Sequence, residues 1–251
     1  MRLPDFIIGG APRSGTTWLY HLLARHPGVH MAAPVRPEPK FFLVDEHYAK
    51  GLDWYSRRWF EAAPAEAVCG EKSTNYLESP DAARRIARHV PRVRLVFILR
   101  DPVERAWSNY LWSRMNGMES ETFERALALE AQRERDLAPE LRFARPHAYF
   151  SRGLYAEQLE PWFELFPRES ILCLRCEDID ARPHVLVERL HRFIGVPPRP
   201  ADADGLGMIN MADSEGEAQP PEQASALLRR RYAEPNRRLA ALLGPEFELW
   251  P

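Results

Sequence analysis

Residues 9–20 read GGAPRSGTTWLY, and the fold turns on how this stretch is read. Gly10 and Gly15 have the spacing of the phosphate-binding pattern G-x-x-x-x-G-K-S/T. Thr17 fills its last place, but Thr16 stands where the lysine belongs. Upstream, DFII has the apolar character of a buried strand; downstream, Trp18, Leu19, Leu22 and Leu23 recur at helical spacing. A strand, a glycine-rich turn and a helix in that order bring successive backbone N–H groups together at a helix start, which favours an anion. Arg13 inside the loop is a fixed cation in place of the missing lysine, and Thr16 and Thr17 add hydroxyl donors.

The same alternation continues along the chain. Strands are expected at AVCGEKS (67–73), VRLVFIL (93–99) and SILCL (170–174), with helices at SPDAARRIARHV, VERAWSNYLWSRM, 154–166 and RPHVLVERLHRFIG. Ser79 followed by Pro80 marks a helix start. A proline-rich loop, AAPVRPEPKFF (32–42), leads into mixed helical stretches, and residues 117–150 read as a charged helical insertion. Continuous apolar strands separated by helices imply an α/β fold whose parallel sheet is covered on both faces. A chain of 251 residues with 45% apolar content fits a single domain, 1–251, with 201–223 as a flexible loop. Ligands in such folds bind beyond the carboxyl ends of the strands, so the 10–17 loop, Lys72 and Arg100 are expected at one rim.

Composition narrows the partners. A net charge of −2 provides no global field for nucleic acid or a strongly anionic polymer, and leaves room for a local basic pocket. MRLPDFIIGG carries no secretory leader pattern and no apolar run is long enough to cross a bilayer, so a cytoplasmic protein without membrane insertion is expected. Cys69, Cys173 and Cys176 do not suggest a disulfide framework. Cys173 and Cys176, three apart on an expected strand, point to opposite faces, which disfavours metal or redox use. Only Lys40, Lys50 and Lys72 are lysines among 34 basic residues, so each merits attention as a titratable ammonium.

A second constellation is LRDPVERAWSNY (99–110). Arg100 leaves the central strand, Asp101 caps the next helix and Ser108 lies two turns into it. A strand-end guanidinium and a helix hydroxyl suit a second phosphate; the competing reading pairs Arg100 with Asp101 or Glu104 at the surface. A ligand with two separated phosphate-like groups accounts for both constellations.

Taken together, these segments resemble the sulfotransferases that use 3′-phosphoadenosine 5′-phosphosulfate (PAPS). PRSGTTW resembles the family's 5′-phosphosulfate loop and LRDPVERAWSNY its 3′-phosphate motif. EPKFF, GEKSTNYL, RGLYAEQLEPWFELFPRESILCL and YAEPNRRLAALLG with Trp250 are similar to segments of the branch containing heparan-type sugar sulfotransferases. The resemblance implies a P-loop-type three-layer fold. It also implies that Arg13, Ser14, Gly15, Thr16 and Thr17 hold the 5′-phosphosulfate, and Arg100 and Ser108 the 3′-phosphate. Glu38 matches the catalytic base of the sugar-sulfating branch, and Lys72 a lysine near the transferring sulfuryl group. The branch acting on phenols and steroids uses a histidine base, and no histidine accompanies EKSTNYL.

The implied chemistry is in-line transfer to a hydroxyl or amine of a small-molecule or sugar acceptor, with Glu38 removing the proton. Lys72, Arg13 and the loop amides would stabilise charge on the sulfuryl oxygens and the leaving phosphate, with no metal required. Two features depart from the family: arginine at position 13, which is more often lysine, and residues 201–220, with five acids and no Lys or Arg where a basic loop is usual. Arg229, Arg230 or Arg231 are candidates for the missing contacts. A small-molecule kinase, with Asp101 imitating a magnesium ligand, and a nucleotide-binding module without catalysis are the alternatives.

Overall fold

Strand β1 (Phe6–Gly10) forms the middle of a five-stranded sheet, and its neighbours follow from which segments are apolar enough to be covered on both sides. In chain order the other elements are α1 (Thr16–Ala24), β2 (Val29–Met31), α2 (Asp45–Tyr48), α3 (Gly51–Phe60), β3 (Val68–Lys72), α4 (Pro80–His89), β4 (Arg94–Leu99), α5 (Pro102–Met115), α6 (Phe123–Arg135), α7 (Tyr155–Leu165), β5 (Ile171–Arg175), α8 (Asp178–Ala181), α9 (Pro183–Ile194) and α10 (Glu222–Leu243). This computed structural model describes residues 1–141, 144–207 and 219–250. The chain divides into two compact units, Met1–Leu99 with Glu160–Ile209, and Arg100–Leu159 with Asn210–Pro251.

The first unit holds the sheet, whose strand order is β2-β3-β1-β4-β5 with every pairing parallel. Parallel strands need helical crossovers, and these cover both faces. On one face Phe6, Ile8, Val96, Ile98, Leu172 and Leu174 pack with Trp18, Leu19 and Leu22 of α1 and with Leu186, Val187 and Leu190 of α9. On the other, Phe97 meets Trp162 of α7 edge-on, ring centroids 5.2 Å apart, and the Trp162 indole donates to Leu77 O at 3.2 Å. The sheet is therefore the middle of three layers, as the apolar strands implied.

β2 is a strand with no counterpart among the sequence expectations, which end a helix at HPGV (26–29) and begin a proline-rich loop at residue 32. Its three residues are too few to show a period, and it exists by pairing Val29, His30 and Met31 with Val68, Cys69 and Gly70 at the sheet edge. The 201–223 stretch, expected to be a flexible loop, begins within a single 3-10 turn, Pro200–Ala203. It is tied to α1: Arg25 donates to the carbonyls of Asp202 and Asp204, each at 2.9 Å, and the Trp18 indole donates to Leu206 O at 3.1 Å. Residues 208–218 of that stretch lie outside the described residues.

The second unit has its own core of α5, α6 and α10 side chains, with Trp107, Tyr110, Phe123, Tyr149, Leu228 and Tyr232 at its centre. Two buried glutamate side chains hold it. Glu119, with a fully buried side chain, accepts from the Tyr149 hydroxyl and pairs with Arg133, both at 2.6 Å. Glu130 accepts from Phe150 N at 2.7 Å and Ser151 N at 2.8 Å. The expected charged insertion is thus anchored through its acids. Among the described residues no helix is long and apolar enough to cross a membrane.

Candidate active site

The loop between β1 and α1 is shaped by its two glycines. Gly15, which precedes α1, has φ 89°, and a Cβ there would lie 2.6 Å from Ile179 Cδ1, so both conformation and space demand glycine. At Gly10 a Cβ would meet Leu77 Cβ at 2.7 Å and Thr74 O at 3.2 Å. The loop therefore starts against the Ser73–Leu77 segment that follows β3. Arg13 also takes a positive φ, 68°, which costs about 1–3 kcal/mol for a non-glycine residue and needs a fold that enforces it.

Ser14 lies in the same loop, fully buried, and its Oγ has no hydrogen-bond partner among the described residues. A buried hydroxyl without a partner is costly. Beside the first amides of α1, with Thr16 buried and Thr17 half-buried, it matches the donor set an anionic group would require. The loop residues thus fit a phosphosulfate on the chain's own geometry.

Glu38 comes from the proline-rich loop and Lys72 ends β3, yet they form a direct ion pair: Lys72 Nζ donates to Glu38 Oε1. Their side chains are 12% and 2% exposed, so water does little to screen the pair. Thr74 completes the site, donating to Glu38 Oε2 from its backbone N–H at 3.2 Å and to both carboxylate oxygens from Oγ1, each at 3.2 Å. The Thr74 carbonyl is also among the atoms that a Cβ at Gly10 would approach, at 3.2 Å, so one residue lies against both the base and the start of the loop. Lys40 Nζ stands 3.9 Å from Glu38 Oε2.

Behind this pair lies an acid to which the sequence reading assigns no role. Glu71 is fully buried on β3, in the company of the buried Tyr55 and Tyr76 hydroxyls. Burial pushes its carboxyl up to about 8; the nearby Tyr76 and Tyr55 hydroxyls restrain the rise, and the charge of Glu38 adds to it. Burial likewise drives the Tyr55 and Tyr76 hydroxyls well above their ordinary range. Near neutral pH Glu71 is a neutral acid, the form in which it is least costly to bury. Tyr76 OH accepts from Phe42 N at 3.1 Å, and Ser73 Oγ accepts from Lys40 N at 2.9 Å, so the residues around Glu71 also hold the loop that carries Glu38.

The other motif lies in the second unit. Asp101 Oδ1 caps α5 by accepting from Val103 N at 2.7 Å and Glu104 N at 3.3 Å. That engagement with helix amides weighs against the magnesium-ligand alternative. Arg100 pairs with Glu104 at 3.5 Å, the pairing anticipated as the competing reading, and its side chain keeps 30% exposure. The Arg100 carbonyl accepts from Tyr155 OH at 2.9 Å. Ser108 is buried on α5. Of the three candidate arginines on α10, Arg229 reaches this helix start, 3.9 Å from Asp101 Oδ2, whereas Arg231 lies over the Phe150 ring at 3.7 Å.

His26, next to the end of α1, is structural. Its Nδ1 accepts from Gly28 N and its Nε2 lies 3.0 Å from Pro197 O. Among the described residues there is no group of three or more His, Cys, Asp or Glu arranged to hold a metal ion. Glu71, Ser73 and Thr74 all lie in GEKSTNYL, from which the sequence reading singles out only Lys72; the segment carries a sequence signal, but the contacts of Ser73 and Thr74 with the Glu38 loop arise from the placement of β3 beside β1.

A parallel sheet with this loop after its central strand defines a P-loop-type α/β fold. The chain belongs to the sulfotransferase domain family, which matches residues 3–206. It is 29% identical over 213 residues to the human bifunctional heparan sulfate N-deacetylase/N-sulfotransferase 2 and 31% identical over 203 residues to mouse enzyme 3. These alignments cover 78% of this chain but 22% and 23% of the relatives, so the chain spans less than a quarter of their length. A solved sulfotransferase from Alicyclobacillus acidocaldarius superposes with TM-score 0.80 at 26% identity, covering 99% of this chain and 98% of that one. The mouse sulfotransferase SULT7A1, solved in complex with PAP, shares the fold at TM-score 0.53 and 16% identity, over 82% of this chain and 64% of that one.

Proposed function

We propose that this chain transfers the sulfuryl group of PAPS to a hydroxyl or amine of a sugar acceptor, with Glu38 as general base. The observation that carries the reading is the arrangement about Glu38, where Lys72 and Thr74 orient the carboxylate next to the phosphate-type loop. A carboxylate has about four lone-pair directions. Lys72 Nζ, Thr74 N and Thr74 Oγ1 engage its oxygens, which leaves capacity for an acceptor proton.

In the proposed step the acceptor oxygen or nitrogen forms a bond to sulfur while its proton passes to Glu38. The bond from sulfur to the bridging phosphate oxygen breaks, and its electron pair leaves with 3′-phosphoadenosine 5′-phosphate. Arg13, Ser14, Gly15, Thr16 and Thr17 are the proposed 5′-phosphosulfate ligands, and the buried, unpartnered Ser14 hydroxyl supports that assignment. Lys72 stabilises the transferring group and orients the base. Within the second unit, Arg100 and Ser108 are the proposed ligands of the 3′-phosphate. The sugar class is supported by the relatives, whose names specify heparan sulfate.

The test begins with ligand-induced stabilisation. At a hundredfold excess over Kd, 3′-phosphoadenosine 5′-phosphate is expected to add about 2.7 kcal/mol, a rise of about 5–10 °C in Tm for a chain of this size. ATP with magnesium is expected to add far less, and a larger effect from ATP would end the sulfotransferase reading. Labelled PAPS incubated with N-deacetylated heparosan oligosaccharides and simple aminosugars should then yield a labelled product.

A further inference from the structure

Two of the three lysines of this arginine-rich chain meet at one carboxylate. They meet it differently. Lys72 is 2% exposed and hydrogen-bonded to Glu38, whereas Lys40 is 19% exposed and stands 3.9 Å from Oε2, beyond hydrogen-bond reach of that oxygen. Lys72 is the buried anchor. Lys40 is the more exposed of the two cations.

The backbone of Lys40 is held in an uncommon conformation. Its φ is 45°, in the left-handed region that a residue with a Cβ rarely adopts. Hydrogen bonds enforce it from both sides: Lys40 N donates to Ser73 Oγ at 2.9 Å, and its carbonyl accepts from Leu43 N at 3.1 Å and Val44 N at 3.0 Å. Ser73 directly follows Lys72, so the two lysines are positioned by one short segment. A strained, over-determined residue beside a candidate base is the pattern expected of functional positioning.

We propose that Lys40 is a second catalytic cation, whose ammonium binds a sulfuryl oxygen of PAPS and accompanies that group to the acceptor. This rests on the sulfuryl-transfer reading above. An acceptor giving its proton to Glu38 must lie about 3 Å from a carboxylate oxygen, with the sulfur it attacks about 3 Å further on. An ammonium 3.9 Å from the same carboxylate is within reach of that group's oxygens. The charge balance agrees. When Glu38 takes the proton its negative charge beside the two ammonium groups is lost, and a sulfuryl oxyanion held there offsets part of their charge.

The test compares two nucleotides that differ only in the sulfuryl group, so it requires no acceptor. Calorimetric Kd values for PAPS and for 3′-phosphoadenosine 5′-phosphate would be measured on the full chain as wild type, Lys40→Met and Lys40→Arg. Lys40→Met is expected to weaken PAPS binding by about tenfold or more while changing the desulfated nucleotide by less than about twofold, and Lys40→Arg to recover much of the loss. Equal binding of both nucleotides by wild type and Lys40→Met would overturn the proposal for Lys40 and leave sulfuryl transfer standing. A Lys40→Met loss equal for both nucleotides would also overturn it, by assigning Lys40 to loop architecture. Failure of the wild type to bind either nucleotide would overturn the parent reading along with this one.

Discussion

Glu38, in the first unit, and Arg100, in the second, are the charged groups on which the two motifs depend, and their surroundings contrast. Glu38 is 12% exposed and engaged by a buried ammonium, a backbone amide and a hydroxyl, all brought from the end of another strand. Arg100 is 30% exposed and pairs at 3.5 Å with a glutamate one turn further along. The first arrangement is assembled from distant residues in low dielectric, where losing a partner leaves an uncompensated charge. The second is local and screened, so its ion pair contributes little to stability. Substitutions in the first region should therefore alter chemistry or folding, and those in the second mainly ligand affinity.

The largest expected effect is on turnover. Glu38→Gln keeps the size of the side chain and removes the base, and should lower kcat by about 10²- to 10⁴-fold, about 3–5 kcal/mol of barrier. The Tm rise with 3′-phosphoadenosine 5′-phosphate should persist. Wild-type turnover in this variant would remove the chemical distinction between the two regions.

Next in size is the pH dependence of stability, which isolates the buried side of the first region. Burial raises the Glu71 carboxyl from 4.5 to about 8. Between those values the unfolded chain ionises and the folded one stays protonated, so the unfolded state binds fewer protons and wild-type stability falls as pH rises. The slope approaches about 1.4 kcal/mol per pH unit and vanishes for this group above pH 8. Glu71→Gln should remove that slope and exceed the wild type in stability at pH 8, as urea denaturation from pH 5 to 9 would reveal. Parallel curves for the two proteins would refute the buried neutral acid.

The smallest effect belongs to the second region. Arg100→Ala should change unfolding free energy by less than about 1 kcal/mol, because the pair with Glu104 is only half-buried and local in sequence. It should still weaken 3′-phosphoadenosine 5′-phosphate by about tenfold or more, through loss of a charge-assisted contact. A loss of several kcal/mol in stability with unchanged nucleotide affinity would make Arg100 structural.

Much of the fold was legible because its signals are local. The apolar stretches of β1, β4 and β5 read as buried strands, Gly10 and Gly15 have a recognisable spacing, and Ser79 caps α4 as expected, accepting from Ala82 N at 3.1 Å. β2 was not legible, since three residues make a strand only by pairing at an edge. α10 begins ten residues before the segment YAEPNRRLAALLG and continues through Pro235, a residue that ordinarily breaks a helix. Leu228 and Tyr232 before that proline, and Leu239 and Leu243 after it, are all buried, and tertiary burial overrides the local penalty.

By itself, the sequence determined the α/β class, the anion-binding loop and the residue types at both motifs, because glycine spacing, apolar runs and helix caps act over a few residues. Only the tertiary structure decided which groups meet. It brought Glu38 to Lys72 across 34 positions, made Thr74 the link between base and loop, and set Lys40 at the same carboxylate. It also enclosed Glu71, whose protonation depends on exclusion of water. Those outcomes arise from the parallel pairing of β3 with β1 and the packing of the proline-rich loop over their ends, and neither long-range register nor burial is encoded in any short segment.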